Sequence, residues 1–265
     1  VFTNNAASAN GGGFYGSDVQ VSNGVFVSNQ AVYGGAMSLA GSATDNSRIE
    51  DCVFTGNQGA ASGGAVYRHT SYAGCELLRC VFSGNAVTNA TGQGGALYGT
   101  VPLVDGCAFV GNTAYEGGAV YFNVSSIGQT NWYTSCVFSN NFGVQTGGAI
   151  SFKNGFLGVS NGLFEANSNG TNAWCGGAIA NVNDKKGSFL FTHSRFFHNR
   201  ARYDGGAFRG TEKDPDGPTS EIRNCLMVGN SSNNGGVAVL FSNTVISACT
   251  VVSNFVSDAN HPGGV

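Results

Sequence analysis

Apolar residues in this chain alternate over short runs, and glycine interrupts them before any helical spacing can develop. In Cys52-Val53-Phe54 the cysteine and the phenylalanine are two apart and share one face of an extended strand. Val120 and Phe122 do the same, as do Ile150 and Phe152. A third short apolar run precedes such cysteines, as at Arg48-Ile49 and Glu76-Leu77-Leu78. The pattern predicts strands of a few residues each, three to a unit, and disfavours helix throughout.

The runs recur at a fixed period. A phenylalanine stands three residues before an asparagine at Phe26/Asn29, Phe54/Asn57, Phe82/Asn85, Phe109/Asn112, Phe138/Asn141, Phe164/Asn167 and Phe196/Asn199. Phe2/Asn5 opens the chain in the same way, and Met227/Asn230 and Val251/Asn254 keep the slot with another apolar residue. Successive asparagines are 24 to 32 residues apart. A few residues after most of them comes Gly-Gly-Ala and an apolar residue, as in Gly63-Gly64-Ala65-Val66. A unit of this length cannot bury its apolar face alone and must stack on copies of itself. Three strands and three turns per unit predict an all-β, right-handed parallel β-helix of about ten coils, with rungs ~4.8 Å apart and a length on the order of 50 Å. It is read as one domain over residues 1–265, with irregular, loop-bearing coils at 183–223, where the repeats lengthen and charge concentrates.

Stacking assigns a role to each repeated slot. Phe54, Phe82, Phe109 and Phe138 are expected to form a buried aromatic column, and the residue after Gly-Gly-Ala a second column. Asn57, Asn85, Asn112 and Asn141 are expected to form a ladder of side-chain amides at a corner. Cys52, Cys80, Cys107 and Cys136, with Cys225 and Cys249, share the slot two before the phenylalanine. They are read as reduced core thiols, with disulfides between neighbours as the alternative. No CxxC occurs, which argues against zinc. Cys75 and Cys175 stand off this slot and are read as surface thiols or as bonds to a partner. Tyr67, Tyr98 and Tyr121 follow the second column by one residue. They are expected to face outward as a stripe, either as plain exposed strand residues or as a platform for sugar rings or a partner.

Composition narrows the function. Charged residues are only 10% of the chain, so the surface must be largely neutral and hydrogen-bonding. Net charge is −3 with no basic tract, so no nucleic-acid partner is expected. No stretch is long and apolar enough for a transmembrane segment. The chain opens and closes inside repeat units and is read as a piece of a longer polypeptide. Its end rungs would then be open to end-to-end or lateral self-association.

Candidate chemistry is sparse. The 15 acidic residues are scattered; Glu212, Asp214 and Asp216 share one loop and are either Ca²⁺ ligands or a solvated acidic turn. His193, Arg195, His198, Arg200, Arg202 and Arg209 make the one basic concentration, suited to an anionic glycan or a partner protein, or simply decorating an irregular coil. No nucleophile motif stands beside a histidine, and no cofactor is expected. Asn89, Asn123 and Asn169 lie in glycosylation sequons.

The paired motifs F-x-x-N and G-G-A-[I/L/V] resemble the defining repeats of chlamydial polymorphic outer membrane proteins. Phe54–Asn57 with Gly63–Val66, and Phe138–Asn141 with Gly147–Ile150, carry both halves; Met227, Val251, Val237 and Val265 depart from them. The resemblance implies the β-helical passenger of an autotransporter, displayed outside the cell and used in adhesion. The first expectation is therefore a non-catalytic extracellular adhesin or display stalk, meeting a protein or glycan at a cell surface. The second is a structural subunit of a surface filament, appendage or coat. The third is a pectate-lyase-like carbohydrate-active enzyme, which would need three or more carboxylates converging in a groove.

Overall fold

The computed structural model describes residues 1–41, 46–69, 74–124, 129–170, 175–182, 187–210, 219–240 and 244–256. These form a parallel β-helix, and no described residue is helical. The first sheet holds ten strands, from Phe2–Thr3 to Thr250–Val252, and carries the repeated phenylalanines. The second holds nine, from Phe14–Gly16 to Ala238–Val239, each following a glycine pair. The third also holds nine, from Gln20–Ser22 to Thr244–Ser247. Complete turns are therefore slightly fewer than the ten repeats counted in the sequence.

A fourth set of short strands was not expected. The two or more residues after the corner asparagine pair from coil to coil, in one sheet of six strands between Gln30–Tyr33 and Ser168–Asn169 and one of two, Ser231–Ser232 with Phe255–Val256. Between them the pairing thins to single bridges, Ser168 to Arg200 and Arg200 to Ser231.

Register explains the core. Phe26, Phe54, Phe82, Phe109, Phe138 and Phe164 are direct parallel partners down the first sheet. From Phe2 to Phe196 the rings stack at centroid spacings of 4.7 to 4.9 Å and within 8° of parallel. That spacing is the rung spacing itself, so the backbone ladder places each ring on the next without rotamer strain. Met37, Val66, Leu97, Val120 and Ile150 form the second column, and Ile49, Leu77, Val104, Tyr133 and Val159 the third. All belong to one buried cluster enclosed by the three sheets.

The corners are built by hydrogen bonds rather than by turn-forming sequence. Asn85 shows the unit: its backbone N–H and its Nδ2 both donate to Asn112 Oδ1, each at 3.0 Å, and its Nδ2 also donates to the Phe54 carbonyl at 2.9 Å. The same bonds link asparagines from Asn5 through Asn254. An interior amide thus uses both donors and both acceptor positions inside a buried site, where an unmade bond would cost ~1–3 kcal/mol. The residue before each ladder asparagine is left-handed, whether Gly84 (φ 60°), Ala166 (54°) or His198 (53°). So is the residue before each slot cysteine, as at Asp51 (52°) and Arg79 (50°), and before Ser194 in the same slot, His193 (50°). The first-sheet strand is therefore bracketed by two left-handed corners in each coil.

The glycine pair serves the opposite corner. Gly94 has φ +67°, and Gly95 has no room: a Cβ there would lie 2.1 Å from the Gly118 carbonyl oxygen. Differences in coil length fall largely in the turn from the second sheet to the third. Strands Leu97–Tyr98 and Leu103–Asp105 are separated by four residues in sequence, and Phe208–Arg209 and Ser220–Arg223 by ten. The first sheet and the asparagine corner are thereby kept in strict register while insertions accumulate elsewhere.

Candidate functional site

The buried slots hold structure, so outward side chains are the candidates for function. The slot cysteines are inside. Cys52, Cys80, Cys107 and Cys136 are unbonded to one another and at most 1% exposed. Each thiol behaves as a small hydroxyl would: Cys107 Sγ accepts from the Cys80 N–H at 3.3 Å and donates to the Asp105 and Leu77 carbonyls at 3.5 Å. Ser194 occupies the same slot and makes the same bonds, accepting from Gly162 N–H at 3.1 Å and donating to the Thr192 carbonyl at 2.8 Å. Hydrogen bonding to the Cys107 thiol, and then burial, push Cys80 up to about 12, and burial pushes Cys136 up to about 12. These thiols are poor nucleophiles near neutrality. The surface reading of the two remaining cysteines is corrected, since Cys75 and Cys175 are both buried.

The tyrosine stripe is real but is not uniformly outward. Tyr67 and Tyr98 stack at 4.9 Å and are half-buried, and Tyr98 and Tyr121 stack at 5.6 Å. Tyr121 is 1% exposed, which corrects the expectation for it. Its cover is a second apolar cluster outside the second sheet, where Cys175, Ala180 and Val182 pack against it. Glu116 and Lys153 close the rim, with Lys153 Nζ 5.8 Å from the Tyr121 ring centre and 3.9 Å from Glu116 Oε2. Gln93 Nε2 donates to the same Glu116 oxygen at 2.5 Å. Burial pushes all three tyrosine hydroxyls upward, Tyr67 to about 12.

Acidic residues are less scattered than the linear sequence implies. Glu50, Asp51 and Glu76 gather about Arg48 and Arg79 on the outer face and corner of the third sheet. Arg48 bridges Glu50 at 3.0 Å and Glu76 at 2.6 Å. Arg79 grips Asp51 with two bonds of 2.8 Å and reaches Glu50 at 3.3 Å. The bond from Arg79 holds the Asp51 carboxyl below the usual carboxylate range. Each of these three carboxylates faces a guanidinium. Among the described residues no three metal-ligating side chains group together. Glu212, Asp214 and Asp216 lie outside the described residues.

The basic concentration does not form one patch, a second correction. Arg195 points outward from the first sheet, in register with Leu163 and Leu226. Arg209 sits on the second sheet, largely buried, paired with Asp204 at 3.0 Å. Arg200 and Arg202 are exposed at the asparagine corner, two coils from Phe142. There they line a cleft of about 470 Å³ with Phe142, Ser168, Asn169 and Gly170. Of the sequon asparagines, Asn89 and Asn123 are exposed. Asn169 is tied down: its Nδ2 donates to the Cys175 carbonyl at 2.6 Å, and its Oδ1 accepts from Arg202 N–H at 2.9 Å.

The fold is a repeat solenoid that offers ordered outer faces and, among the described residues, a corner cleft. Two stretches of the chain, residues 51–67 and 79–100, match the model of the Chlamydia polymorphic membrane protein repeat. Both matched stretches run from the left-handed corner before the slot cysteine to the second-sheet strand; the variable turn and third-sheet strand between them fall outside the match. No curated protein matches the chain. The β-solenoid and the repeat together fit a surface-exposed repeat protein, and the repeat points to an outer-membrane or surface association. Among the described residues no helix is long and apolar enough to cross a membrane.

Proposed function

We propose that this chain is a non-catalytic, extracellular adhesion module, a rigid repeat rod that carries contact surfaces away from the cell that bears it. The observation that supports the reading best is the match of its repeat to the polymorphic membrane protein repeat, on a stack whose inward slots are saturated. Carboxylates that cluster are neutralised by Arg48 and Arg79, all thiols but the half-buried Cys249 lie inside, and the remaining outward side chains are mostly neutral hydrogen-bonding groups. Such a surface favours many weak, orientable contacts over one deep site, and multivalent display would raise their combined strength.

Beads coated with the folded protein test this on cultured epithelial cells, with beads carrying the urea-unfolded chain as reference. Folded-protein beads should adhere in excess of the reference, and soluble protein should compete. Equal adherence of the two bead types would remove the adhesion reading.

A further inference from the structure

At the asparagine corner one rung of side chains is missing. The slot after the ladder asparagine holds Phe142, Ser168 and Arg200 in three successive coils, in register. Two positions on, the same coils hold Val144, Gly170 and Arg202. A large residue, a small one and a large one follow each other in both slots. Rungs are ~4.8 Å apart, so the backbones of Phe142 and Arg200 stand ~10 Å apart, and the Phe142 ring leans over the small middle coil toward Gly170. The space that remains is the cleft of about 470 Å³, bounded by the Phe142 ring, Ser168, Gly170 and the two arginines, a volume that accommodates one sugar ring.

The cleft is built, not left over. Gly170 cannot be enlarged in place, because a Cβ would meet the Val144 carbonyl oxygen at 2.5 Å and Phe142 Cζ at 3.3 Å. Asn169 accepts from the Arg202 N–H, which fixes the backbone that carries the second guanidinium. The ion pairs of the described residues engage Arg48, Arg79, Lys153, Arg209 and Arg223, and neither Arg200 nor Arg202 takes part in any of them. The Arg202 guanidinium lies over the Tyr203 ring, 5.4 Å from its centre. Phe142 is 38% exposed and offers the opposite wall an apolar ring face.

We propose that this cleft binds one anionic pyranose, with the sugar's C–H face on Phe142 and its carboxylate or sulfate on Arg200 and Arg202. Planar guanidinium forks match both anions, and the Ser168 hydroxyl on the floor suits a ring hydroxyl. Two arginines on a chain of net charge −3 suit a single anion rather than a nucleic-acid backbone, which needs a continuous basic track. The assignment deepens the adhesion reading and rests on it only for where the saccharide is met.

Calorimetry on the purified protein tests it with three probes: a glucuronate-containing disaccharide, an O-sulfated disaccharide and the neutral disaccharide of the same linkage. At least one anionic probe should bind about tenfold or more tighter than the neutral one, a difference of ~1.4 kcal/mol. Arg200→Gln with Arg202→Gln should abolish that preference, and Phe142→Ala should weaken both anionic and neutral binding severalfold. Circular dichroism and urea midpoints would show that these surface variants remain folded. Equal binding of charged and neutral probes, no binding of any, or an anionic preference untouched by the arginine pair would overturn the proposal. The bead assay separates the two readings. Full adherence of the arginine-pair variant would leave adhesion standing without the cleft. Saccharide binding by a wild-type protein that does not adhere would do the reverse.

Discussion

At the scale of single residues, the stack is held by side chains whose polar capacity is completely used. Asn112 accepts from Asn85 N–H and Nδ2, and donates to Asn141 Oδ1 and the Phe82 carbonyl. Asn112→Ala leaves the Asn85 N–H unmatched and removes one bond each from Asn85 Nδ2, Asn141 Oδ1 and the Phe82 carbonyl, all of them buried. At ~1–3 kcal/mol for each such group, with partial relief by relaxation, the variant should lose more than about 3 kcal/mol in urea unfolding. Asn5→Ala, in the first rung where the amide is exposed, should lose far less. Similar losses at the two sites would mean that the ladder is decoration. The cysteine slot makes a gentler test. Because Ser194 already reproduces its bonds, Cys107→Ser should cost less than about 1.5 kcal/mol, whereas Cys107→Val removes donor and acceptor together and should cost more. A serine variant as damaged as the valine variant would show that the thiol's bulk, not its bonding, fills the role.

At the scale of strands and sheets, much of the arrangement could be read by adding one period to a residue number. Phe54 and Phe82 are partners, and so are Val66 and Leu97, as the motif spacing implies. The same arithmetic places Asp51 over Arg79 and Arg48 over Glu76, yet the charge network is invisible if acids are counted along the line and arginines are left out. Other features were not legible for physical reasons. The left-handed corners at Arg79, His193 and Ala166 are imposed by the ladder and the stacked strands, since these residues have no intrinsic preference for that conformation. The fourth sheet runs through Gln58, Ala86, Thr113, Phe142 and Ser168, which share no chemistry. The corner cleft depends on a small residue lying between two large ones across coils, a relation that no single repeat contains. Tyr121 is buried by side chains from the following coils, so its own slot could not reveal it. For the aromatic column itself, Phe109→Ala should open a cavity between Phe82 and Phe138 and cost ~3–5 kcal/mol. Phe2→Ala, stacked on one side only among described residues, should cost well under that. An equal cost at both positions would refute a column stabilised by two-sided stacking.

At the scale of the whole molecule, rungs in contact only with their neighbours make stability a sum along the rod. In the last described rung Ile246 and Val251 are 53% and 39% exposed, whereas Ile222 and Met227 one coil earlier are buried. Val265 and the rest of 257–265 lie outside the described residues. One property should be shared by nearly every coil, because nearly every coil buries a proton-holding thiol or phenol. Cys80 and Cys136 are raised from 9.0 to about 12, Cys225 from 9.0 to about 11, and Tyr67 from 10.0 to about 12. A raised native value means that the folded chain holds the proton more tightly than the unfolded one does. The associated stability is complete below about pH 9, where both states are protonated. It is lost progressively as pH rises from there toward 12, because the unfolded thiols ionise first and pull the equilibrium with them. The rod should therefore be alkali-labile. Its urea midpoint should fall steeply above about pH 9, and thiol reagents should label the buried Cys80, Cys136 and Cys225 only as it unfolds. Replacing Cys80, Cys136 and Cys225 together by serine, which does not ionise in this range, should flatten the fall and leave the smaller, later contribution of the tyrosines. An unchanged midpoint at about pH 10.5, or rapid labelling of the native thiols at neutral pH, would show that the slot is open to water and that the stack is not closed around it.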